Sequence, residues 1–206
     1  VTPRAAFYFD LASPDAYLAA ERLLHVLPGP AEWQPVLARR LTAPANSGAR
    51  TADEGSRGPH PLPSAEGDPE LRERIAARAR HLGLQPLRWP DPFPFDSSLA
   101  MHVATYAKSI GRLVPFAQAA FRQAFAGGHS LDVPDHVLIA AAACEMHPTA
   151  VLRGAELRSV DRQLNEATDH AARTGIIDVP ALLIDDRLFI GEGSIEDAAA
   201  HMLGTS

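Results

Sequence analysis

Apolar residues change period along this chain, and each change marks an element. Ala5-Ala6-Phe7-Tyr8-Phe9 is an unbroken apolar run closed by Asp10, which predicts a buried strand over residues 5–10. From Ser13-Pro14 the apolar side chains recur at helical spacing, at Tyr17, Leu18, Leu23, Leu24 and Leu27, until Pro28-Gly29-Pro30 stops the helix. Trp33, Val36 and Leu37 predict a second strand over residues 32–37, weakened by Pro35, which has no N–H for a ladder. The opening reads β-α-β.

Residues 42–68 are rich in Pro, Gly, Ser and Ala and carry no period, so a long loop is expected there, of a length that often has a function. Helical spacing then dominates, predicting helices over residues 69–82, 97–110, 113–125, 134–146 and 155–174. Gly83, Gly111, Gly127-Gly128 and Gly175 stand at or near their ends, where a left-handed cap suits glycine. In the tail, residues 181–184 and 187–190 are short strands around an Asp185-Asp186 turn. A closing helix follows over residues 194–203, with Ser194 as N-cap and Asp197 three residues later. The order predicts an α/β thioredoxin fold (β-α-β … β-β-α) with an inserted α-helical subdomain. Residues 1–41 and 176–206 would form the split thioredoxin-like domain, 69–175 the insertion and 42–68 the linker.

Composition narrows the chemistry. The 206 residues are 46% apolar and 21% charged, an ordinary globular balance, and no apolar run approaches the roughly 18–20 residues of a membrane span. The net charge of −6 argues against nucleic acid and anionic membranes as partners. The first apolar stretch is too short for a signal-peptide core, so a cytoplasmic location is expected. Cys144 is the single cysteine, inside an alanine-rich run, and no CxxC occurs. Dithiol–disulfide exchange within the chain is thereby excluded, and a buried structural thiol is expected. The nine histidines show no HExxH and no short Cys/His spacing, so no metal site is expected.

Two segments carry a family resemblance. Phe7-Tyr8-Phe9-Asp10-Leu11-Ala12-Ser13-Pro14-Asp15-Ala16-Tyr17-Leu18-Ala19 resembles the opening F-Y-F-D-x-x-S-P-x-x-Y-L-A of the DsbA-like group that includes 2-hydroxychromene-2-carboxylate isomerases and kappa-class glutathione transferases. The stretch from Gly175 through Val179-Pro180 to Gly191 is similar to that group's G-V-x-G-V-P-x-x-x-V-D-G-x-x-F-x-G, which carries a cis-proline. Residues 79–84 and 121–129 also resemble family positions. The resemblance implies the thioredoxin fold, a homodimer, and a catalytic serine at Ser13, where redox relatives have their first cysteine.

Local chemistry agrees with a site at Ser13, because a serine just before a Pro at the first helical position stands at a positive helix end. Such a hydroxyl can cap the helix, donate to a bound thiolate, or both. The resemblance further implies that the backbone of Val179, before a cis Pro180, pairs with the peptide of a bound thiol, glutathione or another of low molecular weight. The chain also departs from the family. Gly191-Glu192-Gly193-Ser194 replaces G-Q/S-D-R, whose serine or aspartate receives a γ-glutamyl end; Asn46 is all that remains of a G-N-x-P-P loop; and Asp96-Ser97 with His102 stand where N-S-x-x-A-x-R is common. Asp10, Tyr17, Trp89 and Ser194 complete the candidate binding residues. Trp89 reads either as a pocket wall or as packing in a Pro-rich connection, His102 as a catalytic base or a satisfied histidine, and Glu192 as a general base or a solvated side chain.

Three functions follow from these residues. The first is an isomerase of a small aromatic or polycyclic compound, dependent on glutathione or another thiol. The second is a thiol-independent enzyme on the same fold, working through acid–base groups such as Asp10, Ser13, His102 or Glu192. The third is a non-catalytic protein that binds a small ligand or a partner chain.

Overall fold

The computed structural model describes residues 4–41 and 69–204. The first strand, β1 (Ala5–Phe9), is followed by α1 (Pro14–Val26) and by β2 (Ala31–Pro35), which pairs with β1 in parallel. The segment 42–68, with Asn46, lies outside the described residues.

The helices come next: α2 (Pro69–His81), α3 (Ser98–Ser109), α4 (Leu113–Phe125), α5 (Pro134–Ala142), α6 (Pro148–Ala155) and α7 (Arg158–Arg173). The hairpin β3 (Ala181–Ile184) and β4 (Arg187–Ile190) and the last helix, α8 (Ile195–Gly204), close the fold. The four strands order as β2-β1-β3-β4, with β3 antiparallel to both β1 and β4.

The apolar run of β1 is explained by burial on both faces. Phe7 and Phe9 face the main core, with Trp33 edge-on to both at 4.9 and 5.6 Å. Tyr8 and Ala6 face a second cluster with Val36, Ala171, Ile176 and Val179. α1 and α8 pack together and α8 lies against β3 and β4, while α7 crosses β2. The main cluster continues from α1 into α3, α4 and α5 through Phe121, which meets Phe9 at 5.8 Å and Tyr17 at 6.3 Å. This join holds the inserted helices against the N-terminal half of α1.

Several boundaries move from expectation. β2 ends at Pro35, although the N–H of Val36 still donates to the Phe9 carbonyl at 3.0 Å. β2 is an edge strand, where a proline's missing donor is tolerated. The helix expected over residues 134–146 stops at Ala142, because Glu145 turns into the left-handed region at φ 60°. The helix expected over residues 155–174 starts at Arg158, and α6 is an additional helix before it. Pro148 at the first position of α6 was the available signal. No helix among the described residues is long and apolar enough to cross a membrane.

Candidate active site

The loop between β1 and α1 is built around a buried carboxylate. Asp10 is 2% exposed; its oxygens accept the N–H groups of Ala12 and Ala38, each at 2.9 Å, and the hydroxyl of Ser97. Ser97 precedes α3 but makes no side-chain cap there, its hydroxyl being turned to Asp10. Burial raises the Asp10 pKa above the ordinary carboxylate value, against the lowering effect of these donors and of Arg39. Asp10 thus joins three chain segments at the site, and the Leu11 N–H meets the sulfur of Met101 in α3 at 3.3 Å.

Ser13 follows as the N-cap of α1, with Pro14 at the first helical position. Its Oγ accepts the Ala16 N–H at 3.1 Å and donates to the Val179 carbonyl at 3.2 Å. The Val179–Pro180 bond is cis. Val179 N–H donates to the side chain of Asp178 at 2.7 Å. The structure therefore brings Ser13, Val179 and Pro180 together, and both backbone polar groups of Val179 already have partners within the chain.

An aromatic wall stands beside this end of α1. Tyr17 is buried one turn after Ser13 and stacks on Phe125 at 5.6 Å, and Trp89 and Phe93 meet Phe125 edge-on at 6.3 and 6.1 Å. Burial above all, with help from Glu21 and against Arg122, pushes the Tyr17 phenol up to about 12. Trp89 is only half-buried and carries the Arg72 guanidinium over its ring at 5.2 Å. Two more cis bonds, Asp91–Pro92 and Phe93–Pro94, shape this segment.

Other candidates are placed differently. Glu192 is neither solvated nor a free base: it is 6% exposed and its carboxylate is held by Arg22 and by a two-bonded contact from Arg78 at 2.8 and 3.1 Å. Arg22 also reaches Glu196. Two guanidiniums compensate the cost of burying that charge. His102 is half-buried, its Nδ1 2.7 Å from the Ser98 carbonyl and its Nε2 3.3 Å from Asp161, so it serves to tie α3 to α7. Ser194 does not cap α8; a single 3-10 turn over Glu192–Ser194 precedes that helix, and the Ser194 hydroxyl donates back to Gly191 at 2.8 Å.

Sequence reasoning missed Arg22, Arg78 and Asp178, and named Ser97 without giving it a role. Arg74 and Arg78, one turn apart in α2, were the one helical pattern that could have pointed to a shared anionic surface. Cys144 is buried, and burial pushes its thiol pKa up. Among the described residues no three His, Cys, Asp or Glu side chains gather as a metal site would need. Two cavities of about 350 and 890 Å³ share Tyr8, Gln34 and His170 on the α7 side of the sheet. None of the predicted site residues among the described ones lines either of them.

Comparison with known proteins agrees with this architecture. The family model described as a DSBA-like thioredoxin domain matches residues 5–202. No curated protein matches the sequence. Among solved structures, a 2-hydroxychromene-2-carboxylate isomerase superposes with a TM-score of 0.77 at 15% identity, covering 98% of this chain and 95% of that one. A probable DsbA oxidoreductase from Streptomyces coelicolor gives 0.75 at 18% identity, covering 99% and 91%. The cytosolic disulfide reductase DsbM from Pseudomonas aeruginosa, solved with GSH, gives 0.61 at 12%, covering 98% of each. Identities this low establish a shared fold.

Proposed function

We propose that this chain, which belongs to the DSBA-like thioredoxin domain family, rearranges a small aromatic compound at the Ser13 end of α1 and does not exchange disulfides. Ser13 itself carries the reading. A hydroxyl, which cannot form a mixed disulfide, caps α1 against the cis Val179–Pro180 bond, and the chain's one cysteine is buried in a turn after α5.

What this helix end offers is stabilisation of negative charge. The Ser13 proton now rests on the Val179 carbonyl, and rotation about the Cβ–Oγ bond would turn it to an oxyanion developing on a bound substrate while Oγ keeps the Ala16 N–H. The half-buried Trp89 and Phe93, backed by the buried Tyr17 and Phe125, would offer a flat ring its packing surface. The isomerase among the structures of the same fold supplies the reaction class.

Two observations favour the thiol-independent form. The Val179 N–H, which a bound tripeptide thiol would need, is taken by Asp178. The Glu192 carboxylate, in the segment where the family resemblance would put the γ-glutamyl contacts, is already held by Arg22 and Arg78. The residues present do not fit glutathione.

The test is to incubate the protein with 2-hydroxychromene-2-carboxylate and follow its ultraviolet spectrum, with and without glutathione. Turnover that is indifferent to glutathione and falls about 100-fold in Ser13→Ala, the loss typical of removing one oxyanion donor, supports the reading. Turnover strictly dependent on glutathione would restore the thiol-dependent mechanism. No turnover under either condition removes this compound as the substrate.

A further inference from the structure

α2 is docked by a narrow apolar stripe and, on both flanks of it, by charge. Of its residues Ile75 and Ala79 are fully buried, while its arginines reach out on both flanks. Arg74 makes a two-bonded contact with Asp15, in the first turn of α1, at 2.9 and 3.1 Å. One turn later Arg78 grips the Glu192 carboxylate, which Arg22, further along α1, also holds. The contacts run in the same order along both helices, so the turn of α2 before Arg74 reaches past the N-terminal end of α1, where Ser13 stands. On the other flank Arg72 lies over Trp89 of the aromatic wall. α2 thereby bridges the two sides of the Ser13 end.

We propose that α2 is a lid on this end of α1, latched by Glu192 through Arg78 and by Asp15 through Arg74, and opened when those pairs are lost. The two latches differ in environment. Glu192 is 6% exposed and little screened, whereas Arg74 is 57% exposed and its pair weakens with salt. The apolar stripe is narrow, Ile75 and Ala79 with Leu71 partly buried beside them, so the ion pairs hold the rest of the helix. A helix with so small a buried apolar face is one that can open locally. The inference rests on Ser13 marking the working end, but its test needs no substrate and so fails or succeeds apart from the isomerase reading.

The reporter is Ser13→Cys, alkylated with iodoacetamide and quantified by peptide mass mapping so that Cys144 is counted separately. The rate against pH yields a midpoint, which reports the introduced thiol's ionisation, and a plateau, which reports access. Adding Glu192→Gln should raise the plateau about tenfold or more with the midpoint unmoved. The same change should speed amide exchange in α2 but not in β1 or α4. With Glu192 intact, the plateau should also rise as sodium chloride goes from about 20 to about 500 mM, where the exposed pair is screened. A plateau indifferent to both changes overturns the lid. If Glu192→Gln loosens the whole fold, the salt series decides alone, and a flat response overturns the proposal.

Discussion

The Ser13 hydroxyl and the Val179 carbonyl stand 3.2 Å apart, so one hydrogen bond ties the first helix to the cis-proline loop across 166 residues of sequence. The same oxygen accepts the Ala16 N–H. Ser13→Ala removes a helix cap and leaves a buried carbonyl short of a donor, and each loss costs about 1 kcal/mol or more. A total of about 1–3 kcal/mol is expected from urea unfolding of the two proteins. A loss of only a few tenths would mean that water replaces the Ser13 tie without cost.

Asp10 gives the fold a pH dependence of definite sign. Its pKa is raised in the folded protein, chiefly by burial. A carboxyl raised on folding contributes stability that is fully present below its unfolded value, about 3.9, and is lost as pH rises through the folded value. Asp10→Asn cannot ionise and lacks this loss. The stability of the wild type relative to Asp10→Asn should therefore fall as pH rises from about 4 toward neutrality. Melting temperatures measured across that range should show a converging or reversing gap; a gap that widens in favour of the wild type contradicts the assignment.

Much of this was legible from residue order. Period and punctuation located β1, the Ser13-Pro14 start of α1, α4 and the terminal hairpin, and the family resemblance marked Val179-Pro180, which meets Ser13 in space. What was not legible depends on distant partners. Nothing near Glu192 in the chain announces Arg22 and Arg78, which come from two other helices. His102 looks the same in sequence whether it faces a ligand or, as here, Ser98 and Asp161. The end of α5 was missed because its left-handed residue is Glu145 and not a glycine.

Tyr17 should be the last phenol to ionise. Its pKa is pushed up to about 12, and Tyr8 is also raised, by burial and by Glu32. An alkaline titration followed by near-ultraviolet absorbance reads the chain's three tyrosines together. The final step should lie near 12 and vanish in Tyr17→Phe. Joint ionisation of every phenol near the unperturbed value of about 10 would place Tyr17 in water and remove it from the aromatic wall.

Gly154 in α6 is required by the ring it meets. A Cβ there would fall 2.5 Å from Cδ2 and 2.6 Å from Cε2 and Cγ of Tyr106 in α3, closer than carbon atoms approach without displacement. In a helix, alanine in place of glycine otherwise gains up to about 1 kcal/mol. The clash opposes that gain, because overpacking of this kind costs about 1–3 kcal/mol. Gly154→Ala should therefore destabilise the wild type by about 1–2 kcal/mol. With Tyr106→Ala already present the obstructing ring is gone, and the same substitution should become stabilising by up to about 1 kcal/mol. Chemical unfolding of the four proteins measures both effects. The reversal of sign is the decisive feature: helix propensity alone predicts a gain in both backgrounds, and general intolerance of α6 predicts a loss in both.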